Sequence, residues 1–421
     1  MLSRNLTDIS RSLVTLTKPG YRMTETGEIP EEWDILPLTK VAKYINGMAF
    51  KPSDWKKQGI PIVRIENLND SSAPFNYFDE EVDNKFLLND GDILLSWSAS
   101  LGVYIWNRGK AVLNQHIFKV VPNETVNKYY LFWALHNSVE TLSKVTHGST
   151  MKHFQKGELE RTKIALPSLS EQQKIAEILS TADETIQKVN EEITLTEKLK
   201  KGLMQTLLTK GIGHTKFKMT EIGEIPEEWP LRPFSEVLQI RKRKNEGKSE
   251  KIYTIPMELI PQNETYCGYR SLNKSEVVPP TYCECGDILL PKITPSVENG
   301  KQGIVPTMPS GNAFATSEVY ALFTNGSLTN IYTFYLLKLS LFRKPLIDSM
   351  VGTTGRQRVP KDSLFNLSFP VPPIPEQQKI SEILTTIDHK LELLRSKKTH
   401  LEELKKGMME DLLTGRVRVK V

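Results

Sequence analysis

The sequence has few cysteines and no long apolar segment. Three cysteines in 421 residues are too few for the disulfide framework that holds small secreted domains together. No stretch approaches the roughly 18 consecutive apolar residues that a membrane-spanning helix needs. The first 20 residues are polar and lack the apolar core of a secretory signal. We therefore expect a cytoplasmic protein.

The short motifs that mark common catalytic sites are also missing. There is no G-x-G-x-x-G, H-E-x-x-H or G-x-S-x-G pattern, and no N-P-P-Y-like motif of a DNA methyltransferase. Gly247–Ser249 resembles the end of a phosphate loop, but Lys242 stands where its first glycine should be. Cys267, Cys283 and Cys285 lack the paired spacing of a zinc site. These absences favour a binding module without catalytic, cofactor or metal residues. An endonuclease or methyltransferase with an unrecognised motif is the alternative.

Composition and charge leave nucleic-acid binding open. The chain is 39% hydrophobic and 25% charged, as in a folded protein with real cores. Its length exceeds the ~100–200 residues of a typical domain, so two or more domains are expected. The net charge of +5 permits binding to nucleic acid but equally fits an ordinary basic protein.

The chain contains an internal repeat, which decides its architecture. A segment ending in IPEEW occurs twice and differs only at Thr26 and Ile222. Further matches follow in the same order, whereas residues 34–150 and 230–350 differ. Two related binding surfaces with different targets would produce this pattern, and so would neutral divergence after duplication. The paired segments are Met23–Trp33 with Met219–Trp229, Gly91–Leu95 with Gly286–Leu290, Glu171–Ile175 with Glu376–Ile380, and Glu197–Gly202 with Glu402–Gly407.

Residues 170–209 are predicted to form one long helix, and the end of the second copy to form another. Ser170 and Gln173 are expected to form a capping box, and Gly211 and Gly415 to end the two helices. Each helix would be ~60 Å long. We expect the two to pair antiparallel about a pseudo-two-fold axis, with parallel pairing as the alternative. Apolar or seam positions recur at steps of three and four, as in a coiled coil: Ile175, Leu179, Ala182, Ile186, Val189, Ile193, Thr196, Leu199, Leu203 and Leu207, then Ile380, Leu384, Ile387, Leu391, Leu394, Lys398, Leu401, Leu404, Met408 and Leu412.

Two glycines and the N-terminus add further expectations. Gly202 and Gly407 occupy equivalent helix positions, where glycine is about 1 kcal/mol worse than alanine. A close backbone approach by the other helix or by a partner would explain both, and so would inheritance. Thr15–Gly20 resembles Thr206–Gly211, and the IPEEW segment follows each. The unit boundary is therefore predicted to be circularly permuted.

Candidate DNA contacts cluster in two small, hydroxyl-rich segments ahead of the long helices, Gly148–His153 and Gly352–Arg358. Arginine, lysine and glutamine contact phosphates and base edges, although a polar surface turn would have the same composition. The basic run Arg241–Lys244 and the strand-like run Ile60–Leu68 are vaguer candidates, as are Trp97 and Lys292 after the GDILL segments. The predicted DNA-binding residues are Lys152, His153, Arg356, Gln357, Arg358, Arg64, Asn67, Arg241, Lys242 and Arg243.

The duplicated series of motifs resembles the specificity subunits of type I restriction-modification systems. The resemblance rests on IPEEW, GDIL, the G-[ST]-T loop, the EQQKI entry into each helix and the LKKG segment near its end. It covers essentially the whole chain, twice and in order. One departure is that Met151–His153 stands where the second copy has Arg356–Arg358.

The resemblance implies a fold and a function. The fold would be two mixed α/β target recognition domains separated by two long antiparallel helices. The domains would read an asymmetric bipartite DNA sequence, and the helices would dock two modification subunits. Those partners would carry S-adenosylmethionine and methylate adenine, while restriction subunits would use ATP and Mg. This chain would bind no cofactor; a stand-alone two-headed adaptor is the alternative. The expected segments are 1–20 (truncated repeat), 21–165 (recognition domain 1), 166–211 (central helix), 212–371 (recognition domain 2) and 372–421 (C-terminal helix).

Overall fold

The computed structural model describes residues 18–25, 27–98, 101–145, 156–242, 251–273, 280–353 and 355–421. These form two compact units, and the division falls within both long helices. Unit 1 comprises residues 1–189 and 397–421, and unit 2 comprises residues 190–396. No helix in the described ranges is long and apolar enough to cross a membrane.

Unit 1 begins with a β-hairpin and continues through two four-stranded sheets to a long helix. Its elements are β1 Tyr21–Thr24, β2 Gly27–Pro30, β3 Asp34–Pro37, α1 Leu38–Val41, β4 Ala42–Asn46, β5 Ile60–Val63, α2 Ile65–Asn69, β6 Asn76–Phe78, β7 Leu87–Leu88, β8 Ile93–Ser96, β9 Gly102–Ile105, β10 Ala111–Leu113, β11 Ile117–Pro122, α3 Lys128–Val145, α4 Lys156–Arg161, β12 Lys163–Leu166 and the start of α5 Leu169–Lys210.

Unit 2 repeats this order, and its described residues include a hairpin before the second long helix, at a place that lies outside the described residues in unit 1. Its elements are β13 Phe217–Thr220, β14 Gly223–Pro226, β15 Leu231–Pro233, α6 Phe234–Val237, β16 Leu238–Ile240, β17 Lys251–Ile255, β18 Arg270–Asn273, β19 Thr281–Glu284, β20 Ile288–Pro291, β21 Gly303–Ile304, β22 Asn312–Ala315, β23 Val319–Thr324, α7 Asn330–Lys338, α8 Ser340–Asp348, β24 Val351–Thr353, β25 Arg356–Arg358, α9 Lys361–Phe365, β26 Ser368–Pro370 and the start of α10 Ile374–Leu413.

The two units share one sheet topology. The strand order β6-β5-β10-β7 in unit 1 corresponds to β18-β17-β22-β19 in unit 2, and each sheet holds one parallel pair. The order β4-β11-β8-β9 likewise corresponds to β16-β23-β20-β21. The predicted duplicated mixed α/β fold is therefore confirmed at the level of strand pairing.

The repeated IPEEW segments contribute to the apolar core of each unit. Trp33 and Trp229, which end the two IPEEW segments, are both buried in the main apolar cluster of their unit. The unit 1 cluster includes Leu412 from the end of α10, and the unit 2 cluster includes Leu208 from the end of α5. Each unit therefore uses the end of a long helix as part of its core.

A buried glutamine explains why EQQKI recurs at the start of each helix. The Gln172 side chain accepts a hydrogen bond from Asn127 N at 2.7 Å and donates to Pro167 O at 2.9 Å and Thr125 O at 3.3 Å. The fully buried Gln377 makes the same three bonds in unit 2, with Thr329 N, Pro372 O and Ser327 O. A buried backbone polar group without a partner destabilises the fold, so this side chain locks the chain segments around each helix start.

The predicted helix ends are largely confirmed, with one correction. Gly211 and Gly415 adopt left-handed φ angles of 67° and 70° just beyond α5 and α10. The capping box predicted at Ser170 and Gln173 is wrong. α5 begins at Leu169, and the Ser168 hydroxyl accepts a hydrogen bond from Glu171 N at 3.4 Å. Gln173 is exposed.

Contacts within each unit confirm the antiparallel pairing of the long helices. In unit 1, Asp183 of α5 pairs with Lys405 of α10, while Glu171 at the start of α5 bonds Arg418 beyond the end of α10. In unit 2, Glu192 pairs with Lys390 at 2.9 Å, and Ile212 N donates to Glu376 Oε1 at 2.9 Å. Higher numbers in one helix meet lower numbers in the other, as antiparallel helices require.

The predicted apolar seam is wrong at one pair of equivalent positions in the two helices. Leu199 and Leu404 are exposed, with 56% and 49% of their surface accessible. The lysines that follow them point inward instead. Lys200 pairs with Asp388 and lies 5.8 Å from the Tyr335 ring, and Lys405 lies 4.5 Å from the Trp133 ring. Each lysine packs its stem on an aromatic face and neutralises an aspartate.

Candidate nucleic-acid interface

The strongest predicted DNA contacts lie on the β24–β25 hairpin of unit 2. Gly352 has a φ of 134°, and a Cβ there would stand 2.6 Å from Arg356 O, so only glycine fits. Gly355, in the turn, has a φ of 80°. The tight turn leaves Arg356 and Arg358 exposed on the second strand.

Backbone hydrogen bonds anchor this hairpin to the segment that follows the GDILL strand β20. Val359 N donates to Lys292 O at 2.8 Å, and Thr294 N donates to Gln357 O at 3.1 Å. Ile293 and Arg358 form an isolated β-bridge. The structure thus brings Lys292, a weak candidate from sequence, beside the predicted hairpin arginines.

Lys292, Arg356 and Arg358 form a surface that we call the unit 2 corner. It is positively charged, and an acidic side chain balances part of that charge. Arg358 Nη2 lies 2.7 Å from Glu318 Oε1, and Lys292 Nζ lies 5.0 Å from the centre of the Tyr320 ring. Burial lowers the pKa of Lys292, Glu318 opposes that shift, and Arg358 adds to it. A phosphate would suit these charged groups. Its oxygens would take the place of the water molecules that burial removes from the Lys292 ammonium.

Gln357 lies on the opposite face of the strand from its two neighbours. Alternate side chains of a strand point to opposite faces, so Arg356 and Arg358 share a face that Gln357 does not. The Gln357 side chain is half-buried. The hairpin therefore presents two arginines together, and not the three-residue reading group expected from sequence.

The described residues at the corresponding place in unit 1 include aromatic side chains. Trp97 follows β8 as Lys292 follows β20, and its Nε1 donates to Asn46 Oδ1 at 3.3 Å. The Trp97 ring centre lies 5.5 Å from that of the exposed His116. Lys152 and His153 lie outside the described residues, so the unit 1 candidate surface is Asn46, Trp97 and His116.

Asn67 is a wrong prediction, because its amide holds a turn together. The residue is fully buried. Its Oδ1 accepts from Arg64 N at 3.1 Å, and its Nδ2 donates to Ala73 O and Pro74 O at 3.2 Å each. No base edge can reach it. Arg64 itself pairs with Glu66 and lies over the Trp55 ring at 5.1 Å.

Arg241 is also wrong as a DNA contact, because it forms an internal ion pair. Its guanidinium makes two hydrogen bonds to Asp287, at 2.9 Å and 2.5 Å, and lies 3.9 Å from the Phe323 ring centre. Burial raises the pKa of the Asp287 carboxyl, and Arg241 opposes that shift. Asp287 belongs to the GDILL motif, and its counterpart Asp92 pairs with Lys119. Because this aspartate recurs in both GDILL segments, it was the feature of the sequence that could have indicated an internal ion pair. Lys242 is exposed, and Arg243 lies outside the described residues.

The described residues offer little for a metal or a reactive thiol. No group of three or more His, Cys, Asp or Glu side chains in the described ranges could hold a metal ion. Cys267 and Cys283 are buried, and burial raises the pKa of the Cys267 thiol to about 12.

Comparison with known proteins gives consistent matches along the chain. The family model described as type I restriction modification DNA specificity domain matches residues 30–197 and again 226–403. The type I restriction enzyme MjaVIII specificity subunit of Methanocaldococcus jannaschii is 32% identical, over 93% of this chain and 94% of that protein. The EcoBI specificity subunit of Escherichia coli is 29% identical over 36% of this chain and 33% of its own length. The crystal structure of a type I restriction-modification system S subunit from M. genitalium matches 94% of this chain and 99% of that one, with a TM-score of 0.56 at 15% identity.

Proposed function

The chain belongs to the family of type I restriction-modification DNA specificity subunits, and from that premise we propose that its two units read the two unlike halves of a bipartite DNA target. The family supplies DNA specificity, so the chain is a recognition subunit and not an enzyme. In the proposal, each α/β region is a target recognition domain and carries its own interface.

The observation that carries the proposal is the contrast between two equivalent corners. Lys292, Arg356 and Arg358 make the unit 2 corner cationic. Asn46, Trp97 and His116 make the unit 1 corner aromatic and polar. Arginine favours guanine and phosphate, whereas amide and aromatic side chains favour other edges and stacking. At the described pair of equivalent positions, Trp97 and Lys292, the chemistry differs, and this difference supports an asymmetric target.

The long helices would dock the partner subunits. Leu195 and Leu393 on the unit 2 helix pair have 67% and 71% of their surface accessible, and Leu199 is also exposed. Large apolar side chains exposed together mark protein interaction surfaces. We propose that two modification subunits bind there, that they carry S-adenosylmethionine, and that restriction subunits bring ATP and Mg. A cytoplasmic location fits this role.

Domain exchange tests the proposal. Residues 34–150 are replaced by the matching region of another specificity subunit, and the methylated sequence of the complex is mapped. We expect one half of the target to change. The matched exchange of residues 230–358, which includes the hairpin arginines, should change only the other half. A target that both exchanges leave unaltered would contradict the proposal.

Calorimetry separates this function from that of a fused methyltransferase. The isolated chain is titrated with S-adenosylmethionine, and no binding is expected. The assembled complex with modification subunits is the positive control. Binding to the isolated chain at the affinity of the complex would show that this chain carries its own cofactor site.

A further inference from the structure

Unit 2 contains a large cavity that the proposed function does not use. Its volume is about 960 Å³, which lies within the range of small-molecule sites. Residues of α5 and α10 form one wall, and the end of α7 and four residues of α8 form another. The segments 262–263 and 298–300 complete the lining. The candidate DNA corner of unit 2 contributes none of the lining residues.

The cavity has an excess of positive charge. Its lining contains seven cationic side chains and three carboxylates. Two carboxylates are already neutralised, because Asp388 pairs with Lys200 and Glu197 pairs with Arg395 at 2.6 Å. The third is that of the exposed Glu298. The remaining cationic lining residues are Lys198, Lys201, Lys338, Arg343 and Lys344.

Arg343 is the buried part of this charge. Only 6% of its surface is accessible. Its guanidinium donates to Gln302 Oε1 at 2.5 Å, to Leu337 O at 3.2 Å and to Lys301 O at 3.4 Å. All three acceptors are neutral oxygens, so these bonds fix the side chain without compensating its charge. A buried cation without a counter-charge is stabilised by any anion that reaches it.

Lys338 adds a second, half-buried cation to the lining. Its Nζ donates to the neutral Gln262 O at 2.6 Å. Burial, together with the nearby Lys200 and Arg343, lowers the pKa of Lys338 to about 8, and Asp388 and Glu264 only partly oppose that shift. An anion in the cavity would favour its charged form.

Apolar side chains line the same cavity and limit what fits. Met204, Leu339, Ile347 and Leu391 contribute to the lining, as does Ser340, the first residue of the nine-residue helix α8. The N-terminal end of a helix carries a partial positive charge and unpaired N–H groups, and it favours phosphate. Cations, a helix start and apolar side chains together suit a phosphorylated small molecule.

We propose that this unit 2 cavity binds a polyphosphate anion of nucleotide size. Arg343 and Lys338 would hold the phosphates at the floor, and the exposed Lys201 and Lys344 would flank the opening. Duplex DNA is the less suitable occupant, because its backbone phosphates meet cations that stand out from a surface, whereas Arg343 is buried. The proposal is independent of which DNA sequence the chain reads.

Calorimetric titration of the full chain with ATP and with inorganic tripolyphosphate tests the proposal. We expect ATP to bind with a dissociation constant on the order of 10–100 µM. Adenosine and S-adenosylmethionine should not bind, because neither carries a phosphate. If tripolyphosphate matches ATP, free polyphosphate is the ligand source, and if ATP is tighter, a nucleotide is. The absence of binding by both polyphosphates, or equal binding of adenosine, would overturn the proposal.

Charge reversal locates the site. The double variant Lys201→Glu with Lys344→Glu changes two exposed side chains and should weaken ATP binding at least tenfold, with retained thermal unfolding showing that the chain is folded. The matched control is Lys406→Glu, which changes the counterpart of Lys201 in the other copy of LKKG and should leave ATP binding unaltered. Equal affinity in the double variant would place the site elsewhere. Competition by a cognate duplex that also depends on Lys201 and Lys344 would show a DNA contact instead.

Discussion

Unit 1 and unit 2 differ most where their surfaces are exposed and least where buried backbone groups need partners. Gln172 and Gln377 make the same three hydrogen bonds. In contrast, Trp97 in unit 1 stands where unit 2 has Lys292. A buried amide that satisfies three backbone groups tolerates no substitute, whereas an exposed corner can change its chemistry without unfolding the scaffold. Duplication followed by this selective divergence would give the two proposed recognition surfaces on one framework.

The units also differ in how the chain closes them. In unit 2, α5 runs directly into β13, and Glu376 bonds both Trp229 Nε1 at 3.0 Å and His214 Nε2 at 2.9 Å. In unit 1, the end of α10 takes the corresponding place, and Tyr21 OH donates to Gly415 O at 2.7 Å. There the buried Glu171 bonds Arg418 instead. The circularly permuted boundary stays a prediction, because most of the segment Thr15–Gly20 on which it rests lies outside the described residues.

The largest expected effect concerns the buried glutamines, which the two units share. Gln172→Leu and Gln377→Leu each leave two carbonyls and one N–H unsatisfied at a buried site. We expect each to lower the free energy of unfolding by about 3 kcal/mol or more, measured by chemical denaturation of the full chain. Gln173→Leu, at the exposed neighbour, is the control and should change little. A large difference between the two buried variants would show that the units are not equivalent there.

The next largest effect concerns the exposed candidate DNA contacts, at which the two units differ. Arg356→Ala with Arg358→Ala should weaken DNA binding by the assembled complex about ten- to hundredfold and reduce the salt dependence. Trp97→Ala should weaken binding with the salt dependence retained, because the lost contact is uncharged. Fluorescence anisotropy at several salt concentrations measures both. Arg232→Ala, which removes an exposed residue paired with Glu236, is the control. Identical salt slopes in the two variants would argue against the assigned chemistry.

A smaller effect concerns the lysines within the helix pairs. Lys200→Met should destabilise the chain by about 1–3 kcal/mol, and Lys405→Met by less. The reason is that Asp388 is less exposed than Asp183, at 13% against 31% of the side chain, and also accepts from Tyr335 OH at 2.7 Å. Thermal unfolding of the two variants gives the order. If Lys405→Met is the more damaging change, burial of the aspartate does not set the strength of these pairs.

The sequence predicts the parts of this molecule that repeat or are periodic. The duplicated motifs, the bounds of α5 and α10 and their antiparallel pairing all follow from spacing and helix-end signals. The seam at Leu199 could not be predicted correctly, since Leu199 and Lys200 both satisfy steps of three and four. The Tyr335 ring and Asp388, far away in sequence, decide which one turns inward.

Site residues were harder to predict because their partners are distant. Arg241 looks like a free cation in a basic run, but it meets Asp287 across the sheet. Asn67 looks like a base-reading amide, but it closes its own turn. In contrast, Arg356 and Arg358 stay predicted contacts, because the hairpin leaves both side chains exposed.

The smallest expected effect tests the two helix glycines. No described atom outside the local helix lies within 4 Å of a Cβ built at Gly202 or Gly407, so the predicted close approach by the other helix is wrong. Gly202→Ala and Gly407→Ala should each stabilise the chain by about 0.5–1 kcal/mol, because alanine favours the helix and meets no obstacle. A rise of a few degrees in the unfolding temperature would show this. Assembly with the modification subunits distinguishes the remaining explanations: inheritance leaves assembly unchanged in the stabilised variants, whereas a partner backbone packed on these glycines would weaken it.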